Sequence, residues 1–276
     1  MTRTAAALAA FVFVTAAGAA HADSAYPNPI DDRIRLSLGA AYYSTSTAVR
    51  VDSSSGATGT YLNAEKDLGL APHSFEPRFE LLVRAGERHR IRFDYFSLVR
   101  NRTTTLNLSS AQTPIVFRDV QLLNGDPVQT DLDIRAFGVG YGYSFWRSRR
   151  LEIAATFAVH EIDISARERV QTATRHVDQR EDQAGPFPTL GLDATWVASR
   201  RFYFEGRAQY LKLAVDHMTA SLGEYEFNAL YRFRPNLSVA LGVQAVHAML
   251  VSRQRANSGR FDFDSKGPQL LVRLAF

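Results

Sequence analysis

Phe145-Trp146-Arg147-Ser148-Arg149-Arg150-Leu151-Glu152-Ile153-Ala154-Ala155-Thr156-Phe157-Ala158-Val159-His160 is the stretch whose reading decides the fold. Two aromatic residues run into a short basic link. Beyond it Leu151, Ile153, Ala155, Phe157 and Val159 alternate with Glu152, Thr156 and His160. A period of two sends successive side chains to opposite faces of a strand, so one face here is apolar and the other polar. The same period recurs along the chain. Phe79, Leu81 and Val83 oppose Glu80 and Arg84; Ile91, Phe93 and Tyr95 oppose Arg90, Arg92 and Asp94. Phe202 and Phe204 oppose Glu205 and Arg207, and Tyr225, Phe227, Ala229 and Tyr231 oppose Glu224, Glu226, Asn228 and Arg232.

A soluble sandwich alternates too, and three further features separate it from a barrel in lipid. Connections come in two kinds. Tight links at Gly86–His89, Arg147–Arg150, Ser199–Arg201 and Arg234–Asn236 alternate with polar stretches at 46–75, 101–128, 166–186, 214–223 and 251–260. That pattern fits short periplasmic turns on one rim and extracellular loops on the other. Aromatic residues form two groups. Phe145, Trp146, Trp196, Phe202, Phe204, Phe233 and Phe276 lie by the tight links, and Tyr42, Tyr43, Tyr210 and Tyr225 toward the long ones, as expected of two interfacial belts. The last strand carries Leu270, Val272, Leu274 and Phe276 on one face, with Gln269, Arg273 and Ala275 on the other. A strand ending on an aromatic residue resembles the signal read by outer-membrane assembly machinery.

Past residue 22 no stretch is long and apolar enough for a spanning helix, which needs about 20 such residues. Lipid admits only helices and closed sheets, because both satisfy every backbone group internally. The expected fold is therefore all-β: a transmembrane antiparallel β-barrel of about ten strands, with eight or twelve as the alternatives. One local conflict needs a device. Asp131, Asp133 and Arg135 share a parity with Phe137, Val139, Tyr141 and Tyr143. A β-bulge near Ala136 would flip the side chains beyond it, and a similar slip is expected between Val159 and Ile162. Gly138, Gly140 and Gly142 would face a tight interior.

The N-terminus reads as an export signal. Arg3 is a short positive region, Ala5–Val14 is apolar, and Ala20-His21-Ala22 is a small-residue cleavage site. The expected organisation is a cleaved signal peptide at 1–22, a short periplasmic tail at 23–31 and the barrel at 32–276. Cysteine is absent, which excludes disulfides, thiolate metal sites and a lipid-bearing cysteine. The net charge of +4 does not point to nucleic acid, because the basic residues are spread over strands and turns rather than gathered on one face. The partners expected of an exported barrel are outer-membrane lipid, lipopolysaccharide and the assembly machinery.

Gly59-Thr60-Tyr61-Leu62-Asn63-Ala64-Glu65-Lys66-Asp67-Leu68-Gly69-Leu70, followed by Glu87-Arg88-His89-Arg90-Ile91 and Leu98-Val99-Arg100, resembles a widespread family of proteobacterial outer-membrane barrel proteins. Members carry a G-T-x-I-D-x-E-x-D-L-G-L-like stretch before an R-H-R hairpin. Asn63 stands where an acidic residue is more usual. The resemblance covers about residues 33–146 and implies the fold and an outer-membrane location, without an established activity. The 59–70 segment reads as a structured extracellular loop, or else as a partial plug. Ile115–Val120 with the turn-like Asn124-Gly125-Asp126-Pro127 reads as a hairpin above the membrane.

Charges on the polar faces supply the candidate site: Arg84, Arg92, Asp94, Asp133, Arg135, Glu152, Asp193, Glu205, Arg207, Glu226, Arg232 and Arg273. An ion buried alone is costly, so these are expected to pair across a mostly closed lumen, which would then be structural or a narrow pore for small solutes. Two other readings need testing. A surface hydrolase, protease or lipid A-modifying enzyme, would draw on Asp131, Asp133, Asp216 and His217 near the extracellular rim. Adjacent Asp216 and His217 would point to opposite faces of a strand, whereas a dyad on one water needs both together. His160 and Ser165 are five apart and form no His-x-Ser pair. The other reading is adhesion or partner binding through the long loops. Neither a metal-ligand spacing nor a phosphate-cradling glycine loop is present, so no cofactor is expected.

Overall fold

The computed structural model describes residues 26–53, 58–106, 115–117, 120–171, 176–254 and 258–276. The expected signal peptide and its Ala20-His21-Ala22 site lie outside them. Ten long strands among the described residues close into one antiparallel barrel. They are β1 (Ile34–Val51), β3 (His73–Ala85), β4 (His89–Thr105), β7 (Pro127–Arg147), β8 (Leu151–Gln171), β9 (His176–Val197), β10 (Phe202–Val215), β11 (Met218–Arg234), β12 (Leu237–Ser252) and β13 (Gly259–Ala275). Each pairs with its neighbour in chain order, and β13 closes on β1, from Arg35↔Ala275 to Val51↔Gly259. Closure leaves no edge facing lipid, the condition that a membrane sets on a sheet.

The tight links are where the sequence puts them, between β3 and β4, β7 and β8, β9 and β10, and β11 and β12. The other rim differs from expectation. A strand needs about 9–11 residues to cross the bilayer, and β7 and β8 have 21 each, so the barrel stands well above the membrane. Much of the polar sequence expected in loops therefore extends the strands. The 214–223 stretch is no long loop: Asp216 and His217 alone turn β10 into β11, with Asp216 in the left-handed region at φ 48°. The small β5 (Ile115–Phe117) and β6 (Val120–Leu122) pair antiparallel as a separate two-stranded sheet.

That height also removes the expected bulge. Register runs unbroken through Ala136 on both sides, Phe96↔Ala136 and Ala136↔Ile162, and no slip separates Val159 from Ile162. Asp131, Asp133 and Arg135 share the outer face with Phe137, Val139, Tyr141 and Tyr143 because the medium outside changes from water to lipid along the strand. The interior changes the opposite way. On β4 the inward residues run Arg90, Arg92, Asp94 and then Phe96, Leu98. Real register shifts occur at Ser144/Trp146 and Arg232/Arg234, beside two of the tight turns.

The 59–70 stretch is part of the wall. Strand β3 stops at His73, opposite Ser44, short of both neighbours. The segment fills the notch: β2 (Leu62–Asn63) pairs with Ala48 and Val49 of β1, and Gly69 lies against Thr104 of β4. Leu62, Ala64, Leu68 and Leu70 are buried. Glu65 anchors it, bonding the Thr47 amide at 2.8 Å and Arg100 at 2.5 Å.

Candidate functional site: the barrel interior

The interior is stacked in three layers, each following from the inward residues at that height. At the short-turn end, residues 26–32 fold across the opening. Asn28 caps the 3-10 turn Pro29–Asp31, accepting from the Ile30 amide at 3.1 Å, and its amide group reaches the Arg149 carbonyl at 2.9 Å. Tyr26 donates to the Phe233 carbonyl at 3.1 Å, and Arg201 lies over its ring at 4.3 Å. These contacts join three separate turns of the rim. Ile30 points up into an apolar floor of Val197, Tyr203, Leu230, Ala240 and Leu271. Beside it Asp32 pairs with the fully buried Arg232, which also donates to the Pro27 carbonyl at 3.0 Å.

The middle layer is ionic. Arg84 meets Glu152 through two bonds of 2.8 Å, and Ser144 donates to the same carboxylate at 2.6 Å. Arg92 and Arg90 converge on Asp193 at 2.7 and 3.4 Å. Arg207 bridges Glu80 and Glu226 at 2.5 Å each. Arg273 bonds Glu205 at 2.7 Å and Ser37 at 2.9 Å, and Arg35 closes on the other oxygen of Glu205. Guanidinium and carboxylate groups here interleave, which offsets the desolvation that each ion would suffer alone. Gly138 makes the room: a Cβ there would lie 2.5 Å from the Asp94 carboxylate. Within this layer the free space between Arg35, Arg92 and Arg207 is a cavity of about 20 Å³.

The upper layer is apolar. Phe96, Leu98, Leu132, Ile134, Ile162, Leu222 and Phe263 pack inside the barrel wall with Tyr43 and with Ala64 and Leu70 of the notch segment. Tyr43, read from the sequence as an interfacial ring, is instead fully buried and bonded to Gln244. Ile162 likewise faces inward.

Of the candidate charges, Arg84, Arg92, Asp94, Glu152, Asp193, Glu205, Arg207, Glu226, Arg232 and Arg273 lie inside. Asp133 and Arg135 do not: they pair with each other at 2.6 Å on the outer face above the membrane. Arg35, Arg78, Glu80, Arg90 and Glu224 also belong to the interior, and parity alone would have found them, since Glu80 shares its face with Arg84, and Arg90 with Arg92. Of the possible rim catalysts, Asp131 is held by Arg169 at 3.0 Å on the outside of β7. Asp216 and His217 form a turn three strands away. His160 points inward, 3.3 Å from Thr189 and 3.8 Å from Asp94. No grouping of three metal-ligating side chains occurs among the described residues.

No protein-family model and no curated protein matches the chain. Among solved structures it is similar in fold to the outer membrane protease OmpT of Escherichia coli, with a TM-score of 0.56 and 11% identity over 89% of this chain and 97% of that one. Weaker likenesses include the toluene transporter TodX of Pseudomonas putida, at TM-score 0.35 and 10% identity over 92% and 94%. The attachment invasion locus protein Ail of Yersinia pestis scores 0.35, at 7% identity over 88% and 99%. The chain has an outer-membrane β-barrel fold.

Proposed function

We infer that this protein works in the outer membrane as a barrel with a closed, ion-paired lumen rather than as an open pore. The observation that carries this reading is the middle layer, where Arg207, Glu80, Glu226, Arg92 and Asp193 bridge the lumen from strands on different sides of the barrel. A small ion entering would have to displace a guanidinium from a carboxylate inside a low-dielectric wall, and that exchange is costly. The 26–32 segment covers the same channel from below. Export by the N-terminal signal, recognition of Leu270, Val272, Leu274 and Phe276 by the assembly machinery, and contact with lipopolysaccharide belong to the same reading.

The test is conductance of the refolded protein in a planar lipid bilayer, on material whose gel mobility shifts on heating. The expected record is flat. Stable, discrete current steps would overturn the closed lumen and favour a narrow solute pore, whose reversal potential would report the net charge of the middle layer.

A further inference from the structure

Five strands start at the short-turn rim: β1, β4, β8, β10 and β12. The residue just before each is, in turn, Arg33, Arg88, Arg150, Arg201 and Asn236. These five positions are equivalent in the backbone. The carbonyl of each accepts one amide from the next strand along the rim, from Arg84, Ser144, Val197, Arg232 and Ala275 respectively, at 2.7–2.9 Å. Four of the five carry arginine, each two strands from the next, or about 10 Å in the hydrogen-bonding direction. Far apart in the sequence, they become one row only when the barrel closes. The ladder uses their carbonyls alone, which any residue supplies, so the fold itself does not call for arginine there.

Their direction follows from strand parity. The next residues, Ile34, His89, Leu151 and Phe202, have the outward parity: Ile34 and Phe202 are 44% and 40% exposed, and His89 lies 5.4 Å from the outward Tyr143 ring. The residues after those, Arg35, Arg90, Glu152 and Tyr203, are buried inside. The arginines therefore share the inward parity and stand around the mouth of the barrel, not against lipid. Two contacts agree with this. Arg201 lies over the ring of Tyr26, on the segment that covers the mouth, and Arg88 lines a cleft with Asn28 and Asp31 of the same segment.

That cleft has a volume of about 300 Å³ and is completed by Glu87, Arg147, Ser148 and Arg149. Asp31 and Glu87 both face Arg147, at 2.6 and 4.0 Å. Among the described residues no carboxylate pairs with Arg33, Arg88, Arg150 or Arg201, nor with Arg149, Arg200 or Arg234 beside them. The underside of the barrel is thus a positive face of spaced guanidinium groups, each suited to a carboxylate.

We propose that this face docks the barrel onto the cell wall, through the free carboxylates of the short peptides that the wall polymer carries. A row of single charges about 10 Å apart suits a polymer with repeated, separated carboxylates, and several weak contacts then add to one firm one. Arg88 and Arg149 take one peptide carboxylate in the cleft, and Arg33, Arg150 and Arg201 take others around the mouth. The proposal rests on the outer-membrane reading, which turns this rim toward the periplasm, but not on the closed lumen.

The test is co-sedimentation of the refolded full chain, in detergent micelles, with insoluble cell-wall sacculi stripped of protein. The wild type should pellet with them, less so as salt rises, because exposed charges are screened. The variant Arg33→Gln, Arg88→Gln, Arg150→Gln, Arg201→Gln keeps every ladder carbonyl, so it should still fold and shift on heating, yet bind at least tenfold more weakly. A control removes the same charge from the opposite rim through Arg135→Gln, Arg167→Gln, Arg180→Gln and Arg260→Gln, whose partners there are Asp133, Asp178, Asp182 and Asp262. Its binding should match the wild type. Sacculi whose carboxylates have been converted to amides should pellet neither. No pelleting by the wild type, equal loss in the two variants, or undiminished binding to amidated sacculi would each overturn the proposal. So would a row that binds bilayers containing phosphatidylglycerol but not sacculi, which would make it a lipid-headgroup contact. Conductance is a separate measurement: current through the wild type would sink the closed-lumen reading and leave this one standing.

Discussion

Arg84 and Glu152, 68 residues apart in the sequence, meet edge to edge inside the barrel through two hydrogen bonds of 2.8 Å, and both are buried. The geometry is the bidentate fork that a guanidinium makes with a carboxylate. Removing one partner strands the other charge, so Glu152→Ala is expected to cost about 3–5 kcal/mol. Arg84→Met with Glu152→Leu removes both ions together and should recover much of that loss. Urea unfolding of the refolded barrel, followed by tryptophan fluorescence, measures both together with Arg84→Met alone, and a double-variant loss equal to the sum of the two single losses would show that the pair is not coupled.

Asp193 and Asp133 test which face each residue occupies. Asp193 lies inside against Arg92 and Arg90, whereas Asp133 pairs with Arg135 outside, where water screens the pair. Asp193→Ala should be destabilising by about 3 kcal/mol or more, since it leaves two buried guanidinium groups facing one fewer anion. Asp133→Ala should change stability by less than about 1 kcal/mol. The reverse order would restore the bulge at Ala136 that the register excludes.

Ile30 is 1% exposed and is the apolar anchor of the segment that covers the short-turn end. Ile30→Ala should lower barrel stability by about 2–5 kcal/mol if the site cannot collapse around the smaller side chain. Deleting residues 26–31 should likewise weaken the barrel, yet produce no current steps in a planar bilayer, because the ionic layer above still closes the lumen. Current appearing only in the deletion would make the segment the gate.

Tyr61 donates to Asp262 at 2.7 Å on the extracellular rim, and Arg260 holds the same carboxylate at 2.6 and 2.9 Å. Partial burial raises the pKa of Asp262, but the hydrogen bonds from Arg260 and Tyr61 outweigh it and hold the carboxyl below its usual range. A folded-state pKa below the unfolded one gives stability that is present above about pH 4 and lost as pH falls through the folded value. Tyr61 shifts the other way, raised by desolvation and by its bond to Asp262, so its contribution holds below about pH 10 and fades as pH rises beyond it. Limited proteolysis of the rim should therefore speed up at both extremes and stay flat between them. In Asp262→Asn the acid limb should disappear.

Much of the barrel could be read before any coordinates. The alternation at Leu151–Val159, the four tight links and the paired polarity of Glu205 and Arg207 with Phe202 and Phe204 located strands, turns and faces, because each is a property of consecutive residues. The reading failed where a residue's surroundings depend on its height along the barrel axis. If one face met one medium, Asp133 and Phe137 would lie on different faces, but a 21-residue strand leaves the bilayer partway along and carries both on the outside. Tyr43 failed for a related reason. Next to Tyr42 it looked like a second belt residue, yet neighbours on a strand point to opposite sides, and Tyr43 took the inward one.

By itself, then, the sequence determined the period, the hairpins and which residues share a side, since backbone geometry alone converts a two-residue repeat into two faces. Tertiary structure decided what those faces meet. It joined Arg207 to Glu80 across 127 residues, folded Ile30 beneath the lumen and set the apolar layer above the ionic one. It also left β9 and β10 apart above Leu190. Each of these depends on register and closure around ten strands, which set the distance between residues far apart in the chain and the height of every side chain relative to lipid. No window of consecutive residues contains that information.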